Sequence, residues 1–484
     1  MSEAIVGLKP ERVWKYFAEI SKIPRGSKNE AAISRYVLDT AKRLGLKARS
    51  DALGSVVVAK PASPGKEQVT SICLQGHLDM VCEKNKETVH DFLKDPIELV
   101  RKGNYLSANG TTLGADNGIA VATNLAIMED SSLVHGPLEF LFTIDEETGL
   151  TGAASLGTDF LQSRTMINLD SEEEGALYVG CSGGRDTRGT WKPALQAPPA
   201  GTVPHLLKVG GLKGGHSGLE IDKNRGNSIK IINRVLLLLA GHGGRIASVN
   251  GGNKHNAIPR EAEAIVYLPK KGWAKAAEAV AKLTGALKDE IASVDPDLAV
   301  TLEPLKGKKG KVIAKGVQEK LLRTISALPH GVIKMSSDIP GLVETSTNVA
   351  VVTTDRKGIT IVTSQRSSVA SEILEIAHTV ASVFTLGGAE VKQGDGYPGW
   401  KPNLRSAILG TAKSTYQQLF GKEPLVKAIH AGLECGIIGE KYPGMDMVSM
   451  GPTLEGVHSP DEKIHIDTVG KYWELLLGIL KNAR

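Results

Sequence analysis

The chain has 484 residues, with 58 basic and 53 acidic side chains for a formal net charge of +5, and 41% of its residues are hydrophobic. That length exceeds the size at which single cores usually stop growing, so two domains are expected. The small basic surplus forms no Lys/Arg stripe, and the 4% aromatic content leaves few platforms for stacked bases, which argues against a nucleic-acid partner. The most basic stretch, 304–310 (PLKGKKG), reads as a solvated turn.

No membrane partner is expected either. The most apolar helix candidate, 229–240, carries Lys230, Asn233 and Arg234 and is too short to span a bilayer. The N-terminal residues scatter acid and base without an apolar run, unlike a secretory signal. Cys73, Cys82, Cys181 and Cys435 show no CxxC spacing and read as reduced, mostly buried thiols of a cytoplasmic protein.

In chain order, 10–20 and 29–44 have helical apolar periodicity, and 48–59 reads as a hairpin. A strand is expected at 69–74, then a long polar excursion over 83–104. A helix over about 118–129 follows, then a strand at 138–144, a helix near 151–161 and a strand at 165–169. Strands alternating with helices at this spacing indicate an α/β sheet with crossover connections, whose ligands gather beyond the carboxyl ends of the strands. The texture changes near Gly183. Strands at 203–210, 262–267 and 349–362, with helices at 226–240, 274–291 and 317–328, make α+β material. The segment 395–400 reads as a return linker, followed by helices at 404–420 and 469–480 around a strand at 447–450.

Acids and imidazoles cluster behind the apolar runs. His77-Leu78-Asp79 follows one strand, Glu146-Glu147 another, and Asp170 a third. Asp116 and His458 lie in glycine- or proline-bearing segments. Zinc accepts imidazole nitrogen and carboxylate oxygen, and a pair of metals needs about five or six ligands, one of them bridging. His77, Asp116, Glu147, Asp170 and His458 are a suitable set, with glycines around Asp116 permitting a bridging approach. Two residues apart on an extended segment, Asp79 can stand behind the His77 ring, while Glu146 can serve a metal-activated water as general base. Taken singly, each motif has a plainer reading: a packed histidine for His77, a solvated face for Glu146-Glu147, a solvated loop for Asp170 and the acids after it. If His458 completes the site, the C-terminal segment must return to the N-terminal sheet. The remaining histidines His90, His135, His205, His242 and His255 lack matching carboxylates and read as structural or surface groups.

The segments QGHLDMV (75–81), TTLGADNGIA (111–120), TIDEETGLTGA (143–153), NLDSEEEG (168–175), GLKGGHSG (211–218), NAIPRE (256–261), HAGLECG (430–436) and GPTLEGVHSPDE (451–462) closely resemble the co-catalytic zinc peptidases that include glutamate carboxypeptidase, aminoacylase and the cytosolic dipeptidases. The resemblance spans essentially the whole chain. It implies a di-zinc aminopeptidase/carboxypeptidase-like α/β catalytic domain (1–185 and 395–484) with an inserted α+β lid domain (186–394), in a homodimer. It implies two Zn2+ per subunit: His77 and Asp170 on one, Glu147 and His458 on the other, Asp116 bridging; the carboxylate and imidazole donors also suit Co2+ or Mn2+ as substitutes. Asp79 is then the orienting acid and Glu146 the base.

His216, among glycines, is implied to stabilise an oxyanion, and in some relatives the equivalent histidine comes from the partner subunit. Asn256 and Arg366 are candidates for holding the substrate carbonyl or carboxylate, although Arg366 also fits a structural salt bridge. His430 and Glu434 are expected in the pocket, Glu434 as a partner for a free amine. The activity implied is hydrolysis of small unblocked dipeptides, notably Xaa-His including beta-Ala-His. The rival readings are a tripeptidase or broader aminopeptidase, an N-acyl amino acid amidohydrolase and a non-catalytic scaffold.

Overall fold

A computed structural model describes residues 3–192, 194–306 and 310–484. Gly307, Lys308 and Lys309 of the basic stretch, on which the solvated-turn reading rests, lie outside the described residues. The chain divides into two compact units, one of Met1–Cys181, Trp400–Ala428 and Leu433–Arg484, the other of Ser182–Gly399 with Ile429–Gly432.

The first unit is built on an eight-stranded sheet in the order Lys47–Ser50, Val56–Lys60, Leu138–Thr143, Ile72–His77, Thr165–Asn168, Asp446–Ser449, Ala176–Cys181, Leu425–Ile429. Ile72–His77 runs parallel to both neighbours, and Asp446–Ser449 runs parallel to Thr165–Asn168. The strands Ile72–His77 and Leu138–Thr143 are buried at every position, as central strands covered on both faces should be. By contrast, Lys47–Ser50 is exposed throughout, and its charges suit an edge. The strand expected at 69–74 starts and ends three residues later, because Val69 and Thr70 lie before the ladder and Gly76 and His77 complete it.

Helix Ala115–Glu129 is buried nearly all round, and Glu11–Ile20 packs on it with Val13, Phe17 and Ile20 fully buried. Its backbone is not helical at Asp116 and Asn117, so the regular helix begins at Gly118, where the apolar periodicity placed it. Gly76 lets this helix approach the central strand: an added Cβ would meet Asn117 Oδ1 at 2.5 Å and the Ala120 methyl at 2.8 Å.

Several expectations are corrected. The helix near 151–161 stops at Ser155, where Leu156 turns extended ahead of Gly157. The excursion 83–104 is not wholly irregular. Leu99–Lys102 pairs with Tyr105–Ala108, which pairs with Lys463–His465 and, through it, with Leu454–Glu455. That small sheet presents the connection 456–462, and His458 sits in it.

In the second unit an antiparallel sheet runs Ala299–Pro304, Thr202–Gly210, Ala262–Pro269, Arg245–Gly251, Val343–Asp355, Gly358–Ser367, Gly183–Trp191, Glu390–Gln393. Helices Ser228–Gly241, Trp273–Ile291, Lys315–Ala327 and Ala370–Leu386 cover it, and Ile232, Leu236, Leu321, Ile325 and Phe384 join its core. The single strand expected at 349–362 is in fact a hairpin turning at Arg356 and Lys357, with Asp355 paired to Gly358. Cys73, Cys181 and Cys435 are buried and Cys82 is exposed, all four as free thiols. No helix among the described residues is long and apolar enough to cross a membrane.

Candidate metal centre

The parallel strands deliver their acids and imidazole to one edge of the first unit. His77 ends the strand Ile72–His77, and its side chain is only 1% exposed. Its Nε2 faces Asp116 Oδ1 at 3.1 Å and Asp170 Oδ1 at 3.4 Å. His458 Nε2 faces the other oxygen of the same aspartate, Asp116 Oδ2, at 3.1 Å, and Glu147 Oε2 at 3.0 Å. Two triads therefore share one carboxylate: His77, Asp116 and Asp170, and Asp116, Glu147 and His458, each with donor atoms close enough to hold one ion. His458 is 52% exposed and has φ +63°, a left-handed conformation that non-glycine residues adopt mainly where the surroundings impose it.

The turn after Leu138–Thr143 is held from outside. Asp79 Oδ1 accepts the Glu146 amide at 3.1 Å and Oδ2 the Glu147 amide at 3.2 Å, with the Ser27 hydroxyl donating to Oδ2 at 2.7 Å. Asp79 lies 3.4 Å from His77 Nδ1, beyond a normal hydrogen bond, and that buried nitrogen makes none. The carboxylate thus holds the 146–147 backbone by hydrogen bonds and faces the ring electrostatically. Burial pushes Asp79 up, but His77, Ser27 and the Glu146 amide outweigh it and hold its carboxyl at about 2.

Charge shows what the cluster accommodates. Burial is the largest influence on each acid. It drives Asp170 to about 6 and Glu146 well above the usual carboxylate range, both reinforced by neighbouring carboxylates and opposed by His77. Asp116 goes the other way, because the two imidazoles overcome its burial. His458 is raised to about 11, chiefly by hydrogen bonds to Asp116 and Glu147. Excess negative charge is thus packed around imidazoles that take up protons in its presence, and Glu147 Oε1 is buried without a partner. A donor set of two imidazoles and three carboxylates with an orphaned oxygen fits one or two divalent cations.

Glu434 opens the helix Glu434–Lys441 and is fully buried. Its Oε2 accepts Gln75 Nε2 and Thr143 Oγ1, each at 2.6 Å, whereas Oε1 is buried without a partner. Burial raises its carboxyl to about 7 against the opposing pull of His77 and Thr143.

The other four candidates belong to the second unit. At His216, Nδ1 accepts the Gly218 and Leu219 amides at 3.2 and 3.0 Å. This assigns the ring proton to Nε2 in the neutral ring. His216 and Asn256 line a groove of about 1000 Å³ together with Lys208, Lys213, Lys254 and Arg260. Arg366 is buried and donates through Nη1 to the Tyr397 hydroxyl at 3.1 Å.

His430 is buried with Nε2 at 2.7 Å from Ser346 Oγ, and burial, aided by Arg366 and His216, lowers it to about 3. It is therefore a neutral ring at working pH. Between about pH 6.5 and 3 the unfolded chain binds a proton here that the folded chain does not, so this group's stabilisation is lost on acidification. H430N should gain stability relative to the parent as pH falls from 7 to 5. Paired thermal melts would show it, and a pH-independent difference would refute the neutral assignment.

Four residues given no role by the sequence also lie against the centre. Asn117 accepts the His77 amide at 3.2 Å and donates to the Leu169 carbonyl at 2.9 Å, tying two strand ends together. Gln75, Arg25 and Glu462 are buried beside it. Gln75, Asn117 and Glu462 stand inside recognised motifs, which was the available signal. Nothing local distinguishes Arg25. Among the described residues, His90, His135, His205, His242 and His255 join no metal-ligand group, but His255 does have a carboxylate partner, its Nδ1 facing Asp186 Oδ2 at 3.0 Å.

An α/β unit with a mixed sheet, whose central strand ends, a helix start and one loop together supply two carboxylate–imidazole triads sharing one aspartate, has the features of a dinuclear metallohydrolase. The chain belongs to peptidase family M20/M25/M40, whose pattern matches residues 73–482. It is 43% identical over 478 residues to the cytosol non-specific dipeptidase of Escherichia coli (strain K12), covering 98% of each chain. It is 41% identical to the solved aminoacylhistidine dipeptidase from Vibrio alginolyticus, with a TM-score of 0.91 over 100% of this chain and 98% of that one. Aminopeptidase PepT from Bacillus cereus, at 16% identity, a TM-score of 0.56 and coverage of 98% and 99%, shares the fold.

Proposed function

We propose that the protein is a cytosolic metallodipeptidase that hydrolyses small unblocked dipeptides, Xaa-His among them, with two zinc ions per subunit in a homodimer. The observation that carries this reading is Asp116, whose two carboxylate oxygens each face a different imidazole at 3.1 Å. Full-length similarity to dipeptidases narrows the substrate class. His77 and Asp170 would hold one cation and His458 and Glu147 the other, with Asp116 between them. Cobalt or manganese suits the same donors. Bound there, the cations would polarise the scissile carbonyl and acidify water.

The remaining work falls to the chain. Glu146 accepts the proton of the attacking water as its oxygen bonds to the carbonyl carbon, then passes that proton to the nitrogen as the C–N bond breaks. Asp79 fixes the backbone of that base and faces His77. His216, carrying its proton on Nε2, donates to the oxyanion. Asn256, Arg366 and the neutral His430 bind the substrate carbonyl and carboxylate, Arg366 through its planar fork.

Glu434 takes the free amine on its unpartnered oxygen. E434Q should lose roughly 10- to 100-fold in kcat/KM on free dipeptides, the size of a charged hydrogen bond, and little on N-acetylated ones. Equal losses on both would refute this role.

A substrate panel on the zinc-loaded enzyme tests the function itself. Turnover of beta-Ala-His and Leu-Gly with little on Leu-Gly-Gly or N-acetylated amino acids is expected. Preference for Leu-Gly-Gly would make it a tripeptidase, preference for acylated amino acids an amidohydrolase, and absence of both turnover and metal binding a scaffold.

A further inference from the structure

Glu462 lies four residues after His458 and is only 2% exposed. Its Oε2 accepts the amides of Leu113 and Gly114 at 2.8 and 3.0 Å, and its Oε1 those of Ala115 and Asp116 at 2.7 and 3.3 Å. One buried carboxylate thus takes four consecutive amides leading into helix Ala115–Glu129, including that of the shared aspartate. Amides at a helix start need acceptors, and a short neutral cap satisfies one or two of them. Both oxygens committed to one loop exceed what capping requires.

The same loop is gripped from its other side. Arg25, also 2% exposed, donates through Nη2 to the Gly114 carbonyl at 2.5 Å, and through Nη1 to the Leu78 and Asp79 carbonyls at 3.0 Å each. Those two carbonyls directly follow His77. Gly114 has φ +68°, and a Cβ there would meet Arg25 Nη2 at 2.6 Å and Met80 Sδ at 2.7 Å. Glycine is therefore what admits the guanidinium against the loop. A planar fork with several fixed donors spans three carbonyls in a way an ammonium cannot.

We propose that Glu462 and Arg25 are positioning residues of the metal centre, a clasp that joins the loops carrying His77, Asp116 and His458 and thereby sets cation affinity. The inference rests on the metal-centre reading above. Glu462 connects the His458 loop to the Asp116 loop, and Arg25 connects the Asp116 loop to the residues after His77. Together they hold the shared carboxylate between the two imidazoles. Groups that orient metal ligands without touching the metal typically change affinity or activity by about 10–100-fold.

The test is zinc titration of the apo full-length protein, comparing the parent with E462Q, E462D and R25K. It is read with kcat and KM on one dipeptide and with melting of apo and zinc-loaded forms. E462Q keeps the size but turns an amino group toward two of the four amides. It and R25K should weaken zinc binding roughly 10–100-fold, lower kcat with KM within about twofold, and shrink the rise in Tm on adding zinc. E462D, which restores the carboxylate, should recover part of the affinity. If E462Q does not fold, E462D and R25K carry the same reading. Parent-like zinc affinity and kcat in these variants, with only the apo Tm lowered, would reduce the clasp to a helix cap and overturn the proposal. Failure of the parent to bind two zinc ions would instead count against the metal centre itself, and is read from the parent alone.

Discussion

E146A is expected to retain two metal ions per chain and to lose roughly 10²–10⁴-fold in kcat, the usual contribution of a positioned general base. Glu146 contributes no oxygen to either triad built on Asp116, so its removal leaves His77, Asp170, Glu147 and His458 around the shared carboxylate. Its place is set through the backbone, by the hydrogen bond from its amide to Asp79 Oδ1 at 3.1 Å. Burial raises its carboxyl well above the ordinary range, and Asp170, Glu434 and Glu147 add to that against His77. A carboxyl raised in this direction holds a proton more readily than an ordinary one, as a group that accepts a proton must. Metal analysis and steady-state rates on the same preparation check this. Unchanged turnover would remove Glu146 as the base, and loss of metal would make it a ligand.

D116A should fall further, losing both cations and, with them, essentially all turnover. Asp116 is the one side chain common to both triads, with one oxygen 3.1 Å from His77 Nε2 and the other 3.1 Å from His458 Nε2. H458A, by contrast, removes a ligand from one triad only, so it should keep about one equivalent of zinc. The decisive readout is stoichiometry: about two for the parent and E146A, one for H458A, near zero for D116A. Two tightly held zinc ions in D116A would sink the shared-carboxylate reading. The pairing of E146A with D116A also separates loss of chemistry from loss of metal, which activity alone cannot do.

Much of the centre was legible because it hangs on regular elements. His77, Glu146-Glu147 and Asp170 each follow an apolar run, and a strand pattern announces where its carboxyl end lies. His458 was harder. It is half exposed, in the connection between Leu454–Glu455 and Lys463–His465, and its short strands carry almost no pattern. Its residue type and proline-bearing segment made it a candidate, and the resemblance of the whole segment 451–462 assigned it a metal. The hairpin Val343–Asp355 and Gly358–Ser367 reads as one strand because β-branched runs flank the short break at 355–358 on both sides. Its turn at Arg356 and Lys357 lacks the asparagine-glycine or aspartate-glycine pair that signals a two-residue hairpin loop. Asp79 was foreseen as an orienter of His77 from strand alternation. Its hydrogen bonds to the Glu146 and Glu147 amides join segments far apart in sequence, and no local pattern encodes such a pairing.

Residue type and spacing were enough to establish the kinds of donors present and the apolar runs that build the sheet, while the family came from the resemblance of whole motifs. Those are properties of short segments, set by apolar periodicity and by the chemistry of individual side chains. Tertiary structure alone decided that Asp116 offers one oxygen to each imidazole, that Asp446–Ser449 inserts between Thr165–Asn168 and Ala176–Cys181, and that Arg25 and Glu462 grip the loop between them. Each of these depends on backbone amides and carbonyls from distant segments meeting at hydrogen-bond distance. Main-chain donors and acceptors are the same at nearly every residue, so the sequence carries no mark of which will meet.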